Sequence, residues 1–225
     1  MKRRVIEVAA NLMVKNDALA AKLRDRFARS GTLVVNVLSS PGSGKTTLLA
    51  ETLKQLAPRH RVAALVGDQA TANDADRLAR SGAPVRQITT GSECRLDASM
   101  IGKALAGWEP EHLDVLFIEN VGNLICPAEY DLGEDLRVVL LSVTEGEDKP
   151  LKYPLAFNTS HLALVTKIDI AEAVGYDRAA ALRSIESVHP GMDVIDISAR
   201  SGQGMAAWLE AIESRLAAKA LVPAG

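Results

Sequence analysis

The sequence predicts an α/β fold in three layers, a mostly parallel sheet flanked by helices, and three observations carry that expectation. Short continuous apolar runs recur at 33–38, 61–66, 113–118, 137–143 and 162–165, the pattern of strands buried on both faces. Helix-periodic stretches lie between and around them, the alternation that builds parallel sheets. The run Leu33-Val34-Val35-Asn36-Val37-Leu38 passes through a loop rich in glycine and serine into a helical stretch from Leu48 to Leu56, so one strand, loop and helix unit is legible outright.

That loop reads Ser39-Ser40-Pro41-Gly42-Ser43-Gly44-Lys45-Thr46-Thr47, the G-K-[ST] end of a phosphate-binding P-loop with Ser39 where the strict pattern has glycine. Gly42 and Gly44 carry no Cβ, so successive backbone N–H groups can close around a β-phosphate at the positive end of the following helix. Lys45 is placed to reach the β/γ oxygens, and Thr46 to ligate Mg²⁺. An ordinary Gly/Ser turn explains the glycines but not the Lys-Thr pair at the strand-to-helix junction.

The whole chain bounds what surrounds this unit. A chain of 225 residues, 48% hydrophobic and 24% charged, buries one sizeable core, so 1–225 is expected to be a single P-loop domain with 1–31 as a helical segment packed on it. With 26 basic and 28 acidic residues, net −2, there is no long-range pull toward nucleic acid or an anionic membrane, and neither is expected as a partner. No apolar stretch long enough for a membrane helix or a secretory core follows the basic start, so a cytoplasmic protein is expected. Two cysteines, Cys94 and Cys126, are too few for a disulfide framework and fit a reducing compartment. Core thiols, a metal pair and a redox pair all remain open for them.

In chain order, 16–29 has Leu19, Leu23 and Phe27 four apart between charged residues and stops at Ser30-Gly31, an amphipathic helix. The buried run 61–66 ends at Gly67-Asp68. The acidic segment Thr71-Ala72-Asn73-Asp74-Ala75-Asp76-Arg77 follows. Ligands of open parallel sheets sit at the carboxyl ends of the strands, so its carboxylates either face the phosphates or form a helix start with an Asp74–Arg77 pair. A strand at 85–89 leads to Thr90-Gly91-Ser92-Glu93-Cys94-Arg95-Leu96-Asp97-Ala98 and a helix through Trp108. The run 113–118 ends in Glu119-Asn120-Val121-Gly122-Asn123, a carboxylate suited to a second Mg²⁺ contact and a glycine whose N–H can approach a γ-phosphate.

After a strand at 137–143, the charged stretch 145–154 contains Pro150 and Pro154 and reads as a loop, either a lid or a solvated turn. The next strand ends in Thr166-Lys167-Ile168-Asp169. Guanine presents N1–H and N2–H₂ side by side, so a carboxylate at a strand end accepts both while the lysine stem covers the ring. A last strand at 193–197 leads to Ser198-Ala199-Arg200, where the Ala199 N–H can meet guanine O6, and a helix from Met205 to about Ala218 closes the chain.

These elements stand in the order found in GTPases. The segments T-x-x-D-A-x-R at 71–77, T-G-x-x-C-x-L-D-A at 90–98 and F-I-E-N-V-G-N-L-x-C-P-A-x-x-D-L-G-E at 117–134 resemble the HypB family of hydrogenase nickel-insertion GTPases, within the SIMIBI class. The resemblance implies a maturation factor that couples GTP binding and slow hydrolysis to GDP with delivery of Ni²⁺ into [NiFe]-hydrogenase. It implies a GTP-promoted homodimer, a separate nickel-binding accessory protein and the hydrogenase large subunit as partners. By position, Lys45 serves the β/γ-phosphates; Thr46, Asp74 and Glu119 hold Mg²⁺ directly or through water; Asp68 lies near the attacking water; Lys167 and Asp169 select guanine. Thr166 stands where the family commonly has Asn, which is expected to weaken a buttressing hydrogen bond. The family's Cys-His pair plus second Cys maps to Cys94, Arg95 and Cys126. Arginine is no metal ligand, so weak, dimer-dependent Ni²⁺ or Zn²⁺ binding is expected. A P-loop kinase of a small molecule and a urease-type or cobalamin-type accessory GTPase are the alternatives.

Overall fold

The computed structural model describes residues 2–69, 73–108 and 112–221, with side chains from residue 12 onward. Thr71 and Ala72 of the acidic segment lie outside the described residues. Among these residues seven strands form one sheet: β1 Leu33–Leu38, β2 Val62–Asp68, β3 Val85–Thr89, β4 Val115–Glu119, β5 Leu136–Ser142, β6 Leu162–Thr166 and β7 Asp193–Ile197. Their order is β3-β2-β4-β1-β5-β6-β7 and every pairing is parallel. β1, β4 and β5 are buried throughout, which is why they read as unbroken apolar runs.

Among the described residues eight α-helices cover the sheet: α1 Lys2–Ser30, α2 Lys45–Leu56, α3 Asn73–Ala79, α4 Ala98–Ala104, α5 Lys149–Lys152, α6 Pro154–Asn158, α7 Arg178–Val188 and α8 Met205–Ala220. Successive residues of a strand point to opposite faces, and β1 divides the core accordingly. Leu33, Val35 and Val37 pack with Leu49 and Leu53 of α2, Leu78 of α3 and Trp208 of α8. Val34 packs on the other face with Phe27 of α1 and Ile101 of α4. Leu38 continues that face toward Phe157 of α6 and Ile185 of α7. The expected three layers result.

Two local expectations are corrected. The stretch 145–154 is not all loop: after a turn at Gly146 it forms α5 and the start of α6, each with its proline in the first turn. A helix's first N–H groups have no intrahelical partner, so a proline there loses nothing, and the two prolines start helices instead of breaking them. Helix α7 was not anticipated. Its N-cap is clear in retrospect, since Asp177 accepts from the Ala180 N–H at 2.9 Å, but only Ala181 and Ile185 of its apolar residues are buried. The first helix also runs back to Lys2, well before residue 16.

The turn into α8 makes a demanding contact. Gly204 is its N-cap at φ 75°, and an added Cβ would overlap the Asp196 carbonyl oxygen. Backbone cannot swing aside as a side chain can, and positive φ penalises any L side chain as well. Gly204→Ala is expected to destabilise the fold by about 2 kcal/mol or more, read as a shift in the urea midpoint. A midpoint within experimental error of the parent would refute this account of the turn.

Candidate functional site

At the carboxyl ends of β1, β2 and β4, where the strand order reverses around β1, a cleft of about 500 Å³ opens. The predicted loop is its floor: Pro41, Gly42, Ser43, Gly44, Lys45, Thr46 and Thr47 all border it. Gly42 and Gly44 take φ values of 77° and 92°, a backbone that L side chains adopt at a cost of about 1–2 kcal/mol each. Helix α2 begins at Lys45 with no carboxylate in its first turn, so its unpaired N–H groups and positive dipole end remain available to an anion.

The loop is braced from several sides. Ser43 Oγ lies 2.8 Å from the Ser40 carbonyl and 3.0 Å from Glu145 Oε1. Glu145 Oε2 accepts from the Ser142 N–H at 3.1 Å, so this carboxylate ties the loop to the end of β5. Thr166 Oγ1 donates to the Ser43 carbonyl at 2.7 Å. The buttress expected to weaken with threonine at 166 is therefore made: a hydroxyl on a shorter stem spans the gap. Gly122 sits against Pro41, where a Cβ would come within 3.2 Å of its ring.

Glu119, at the end of β4, is 1% exposed. Its Oε1 accepts from Thr46 Oγ1 at 2.7 Å and lies 3.5 Å from Lys45 Nζ. Its Oε2 is buried without a hydrogen-bond partner. Burial pushes the Glu119 pKa up, outweighing Lys45 and Thr46, and the charge of Asp74 adds a smaller upward push. An unsatisfied buried oxygen beside a hydroxyl and a second carboxylate suits a hard divalent cation, so Thr46, Asp74 and Glu119 fit Mg²⁺. Asp68 and Asp74 border the same cleft. Among the described residues, Asp74 and Arg77 form no ion pair, so the local pairing that the sequence left open for them is not made.

A second chamber of about 410 Å³ shares Ser43, Gly44 and Thr47 with the first and continues to Thr166, Lys167, Asp169, Ser198, Ala199 and Arg200. Ser198 Oγ donates to Asp169 Oδ1 at 2.7 Å, fixing one carboxylate oxygen and leaving the other free to accept. Lys167 is the one non-glycine at positive φ among the described residues, at 61°. That strain, of order 1–3 kcal/mol, turns its stem over Gly44, with Cε 3.8 Å from the place a Cβ there would take. The structure thus brings the predicted nucleotide-site residues together around one bipartite cleft, with Glu119 buried behind its wall against Thr46 and Lys45.

Cys94 and Cys126, 32 residues apart, meet because β3 and β4 flank β2 and the segments leaving them converge. They are joined as a disulfide, with Cα atoms 6.3 Å apart. Of the readings left open for them, separate core thiols are not what this structure shows; the redox-pair and metal-pair readings both bring the two sulfurs together. Among the described residues no group of three or more His, Cys, Asp or Glu could hold a metal ion. Arg95 pairs with Glu93 at 2.9 Å and stacks 3.9 Å over the Tyr130 ring.

Residues the sequence did not single out hold these segments in place. Asn120 Oδ1 accepts from the N–H groups of Leu96 and Val121, while its amide donates to Asn36 inside β1. Asn36 donates in turn to Glu134, which also receives the Arg137 guanidinium. Asn123 donates to the Cys94 carbonyl at 3.3 Å. A polar residue in an otherwise apolar strand, Asn36, was the one visible signal of this network.

Residues 33–196 match the model of the CobW/HypB/UreG nucleotide-binding domain. A hydrogenase maturation factor HypB from Rhizobium leguminosarum bv. viciae is 46% identical over 97% of this chain and 74% of its own length. The crystal structure of HypB from Archaeoglobus fulgidus superposes with a TM-score of 0.84 at 38% identity, covering 90% of this chain and 99% of that one. HypB from Helicobacter pylori, solved in complex with nickel, gives a TM-score of 0.84 at 37% identity, covering 90% and 95%.

The buried carboxylate has a measurable consequence. The folded pKa of Glu119 is raised, so the folded chain prefers its protonated form; any stability from that preference is present below the ordinary carboxylate range and lost as pH rises through the folded pKa. At neutral pH the charge is therefore a standing cost. Glu119→Gln is expected to raise the melting temperature of the ligand-free protein by a few degrees and to shrink the further rise produced by Mg²⁺ with GDP. Calorimetry at pH 7.5 with and without those ligands checks both. A lower ligand-free melting temperature for the variant would overturn this reading of the site.

Proposed function

The chain belongs to the HypB family within the CobW/HypB/UreG nucleotide-binding proteins, and from that premise we propose that it is a GTP-hydrolysing assembly factor that helps insert nickel into [NiFe]-hydrogenase. One observation supports the nucleotide part: a single cleft holds a phosphate loop at one end and, at the other, the Asp169 carboxylate held by Ser198, a placement that suits a guanine base. The whole of 1–225 acts as one GTPase unit, with α1 packed on it through Phe27, and works in the cytoplasm. No helix among the described residues is long and apolar enough to cross a membrane.

In this reading the N–H groups of 42–46 and the Lys45 ammonium hold the β- and γ-phosphates. Thr46, Asp74 and Glu119 hold Mg²⁺ directly or through water, and the bound ion would offset phosphate charge. The Gly122 N–H meets the γ-phosphate, and Asp68 orients the water whose oxygen forms the new bond to Pγ as the bond from Pγ to GDP breaks. Asp169 accepts from guanine N1–H and N2–H₂, Lys167 covers the ring, and Ser198, Ala199 and Arg200 close the pocket. Nickel is the cargo. It arrives from a nickel-binding accessory protein and leaves for the hydrogenase large subunit. The Cys94–Cys126 pair offers its two thiolates to the metal, Ni²⁺ or Zn²⁺, only when reduced.

The surface supports a GTP-promoted homodimer. Helix α6 packs against the turn Cys126–Glu129, so the exposed Ile125, Leu151 and Leu155 stand on neighbouring elements beside the cysteine pair. Gly122 lies between the γ-phosphate position and that turn, so closure on GTP moves the segment that carries these side chains.

Asp169→Asn tests the base assignment. GTP affinity should fall by about 1–3 kcal/mol, the cost of a lost buried contact, and xanthosine triphosphate should gain, because its C2 oxygen accepts where guanine donates. Equal affinity of the unaltered protein for ATP and GTP in a calorimetric titration refutes the assignment and leaves the kinase alternative standing.

Light scattering at protein concentrations up to ~100 µM, well above the micromolar range of weak association, tests the assembly. Dimer is expected with a non-hydrolysable GTP analogue and monomer with GDP, and Leu155→Asp should abolish the difference. One mass in the nucleotide-free, GDP and GTP-analogue forms, with bound nucleotide verified in the last two, would sink the switch.

A further inference from the structure

Among the described residues, Arg77 is the one arginine on the wall of the phosphate cleft, and it lines the base chamber as well. It lies in the last turn of α3, three residues after Asp74, so both side chains project from the helix face turned to the cleft. Among the described residues its side chain forms no hydrogen bond or ion pair, and it is exposed. Most arginines nearby in the fold are spoken for: Arg86 over Trp108, Arg95 on Glu93 and Tyr130, Arg137 on Glu134. The other cations at the phosphates are constrained, Lys45 beside Glu119 and Lys167 over Gly44. Three carboxylates, Asp68, Asp74 and Glu119, face or border the same space. With Glu119 counted, Lys45, Arg77 and Lys167 only balance these carboxylates, so a triphosphate brings negative charge with no surplus of cations to meet it.

Resting on the GTPase reading above, we propose that Arg77 is a catalytic residue, its guanidinium closing over the β- and γ-phosphates from α3. In hydrolysis the water oxygen forms a bond to Pγ while the bond from Pγ to the bridging oxygen breaks. Its electron pair passes to the β-phosphate of the departing GDP, and the water protons leave with inorganic phosphate and solvent. Negative charge thus grows on the bridging and β-phosphate oxygens. A guanidinium stays charged at any working pH and offers two parallel N–H donors, so it offsets that growing charge better than an ammonium point charge. Its place on the border of the two chambers lets it reach the phosphates only from the side that α2 and the loop leave open. Its lack of a protein partner leaves it available.

Single-turnover hydrolysis, GDP affinity and binding of the GDP–aluminium fluoride transition-state mimic in Arg77→Ala and Arg77→Lys test this. Arginines supplied to a GTPase site are worth about 10³–10⁵-fold, so a fall of about a hundredfold or more in the hydrolysis rate is expected for Arg77→Ala. GDP affinity should stay within about threefold, because the contact strengthens only as charge moves. The variant should lose the fluoride mimic, recover activity with added guanidinium ion, and be restored only in part by lysine. A hydrolysis rate within threefold of the parent, or an equal loss of GDP and GTP affinity with the rate intact, overturns the assignment to Arg77 alone. Absence of hydrolysis in the parent protein with GTP and Mg²⁺ bound overturns the GTPase reading and this role with it.

Discussion

A carboxylate almost wholly removed from water stands at the centre of this molecule. Glu119 ends a strand buried along its length, and its position follows from β4 lying between β1 and β2. One oxygen is committed to Thr46 and Lys45 and the other to nothing among the described residues. Such an arrangement opposes the stability of the empty protein, since burial of an incompletely paired charge costs several kcal/mol before compensation. It persists where the surrounding layers over-determine it, and here the parallel sheet, α2 and the loop 39–44 all do. The same three elements set where a phosphate and a cation can sit, so the cost and the binding site have one cause.

Around that carboxylate, polar residues carry position outward through an apolar core. Asn36 replaces what would be another aliphatic side chain of β1, and it is tolerated because both ends of its amide are satisfied, by Glu134 and Asn120. Asn120 then fixes Leu96, two residues beyond Cys94, and Arg137 holds the carbonyls of Ala128 and Tyr130, on the far side of Cys126. From the amino-terminal helix, Asn16 donates to the Asp131 carbonyl and accepts from the Ala98 N–H, bracing both cysteine segments from outside. A half-satisfied network of this kind would be worse than an apolar core, so each of these amides depends on the others being in place.

The layering and the site were legible in the sequence to different depths. Buried parallel strands announce themselves as aliphatic runs, so β1, β4, β5 and β6 were visible, and the P-loop was visible because glycine, lysine and threonine at one junction serve one chemistry. What stayed hidden depends on distance in space. Glu145 reads as one more charge in a polar stretch until the fold sets it against Ser43. The pairing of Cys94 with Cys126 needs β3 and β4 on either side of β2, which no local pattern encodes. Helix α7 buries two small or medium apolar residues and so lacks the wide stripe that periodicity detects. The prolines misled because their meaning is positional: the same residue stops a helix from within and starts one from its first turn.

The chamber around Asp169 illustrates how a departure from a familiar motif can leave local geometry intact. Thr166 has no amide, so the two-headed contact that asparagine makes is unavailable to it. Its hydroxyl nevertheless reaches the Ser43 carbonyl at 2.7 Å, because β6 runs in register with β5 and brings its end directly beneath the loop. That single bond restrains Ser43, whose own hydroxyl is already shared with Ser40 and Glu145. The left-handed turn at Lys167 follows at once, placing the lysine stem over Gly44, and Asp169 is then delivered to Ser198. The constraint the site needs is that the strand end, the loop carbonyl and the carboxylate be held in one rigid line. Any residue at 166 that donates to Ser43 without filling the base chamber satisfies it, which is a weaker demand than asparagine alone would suggest.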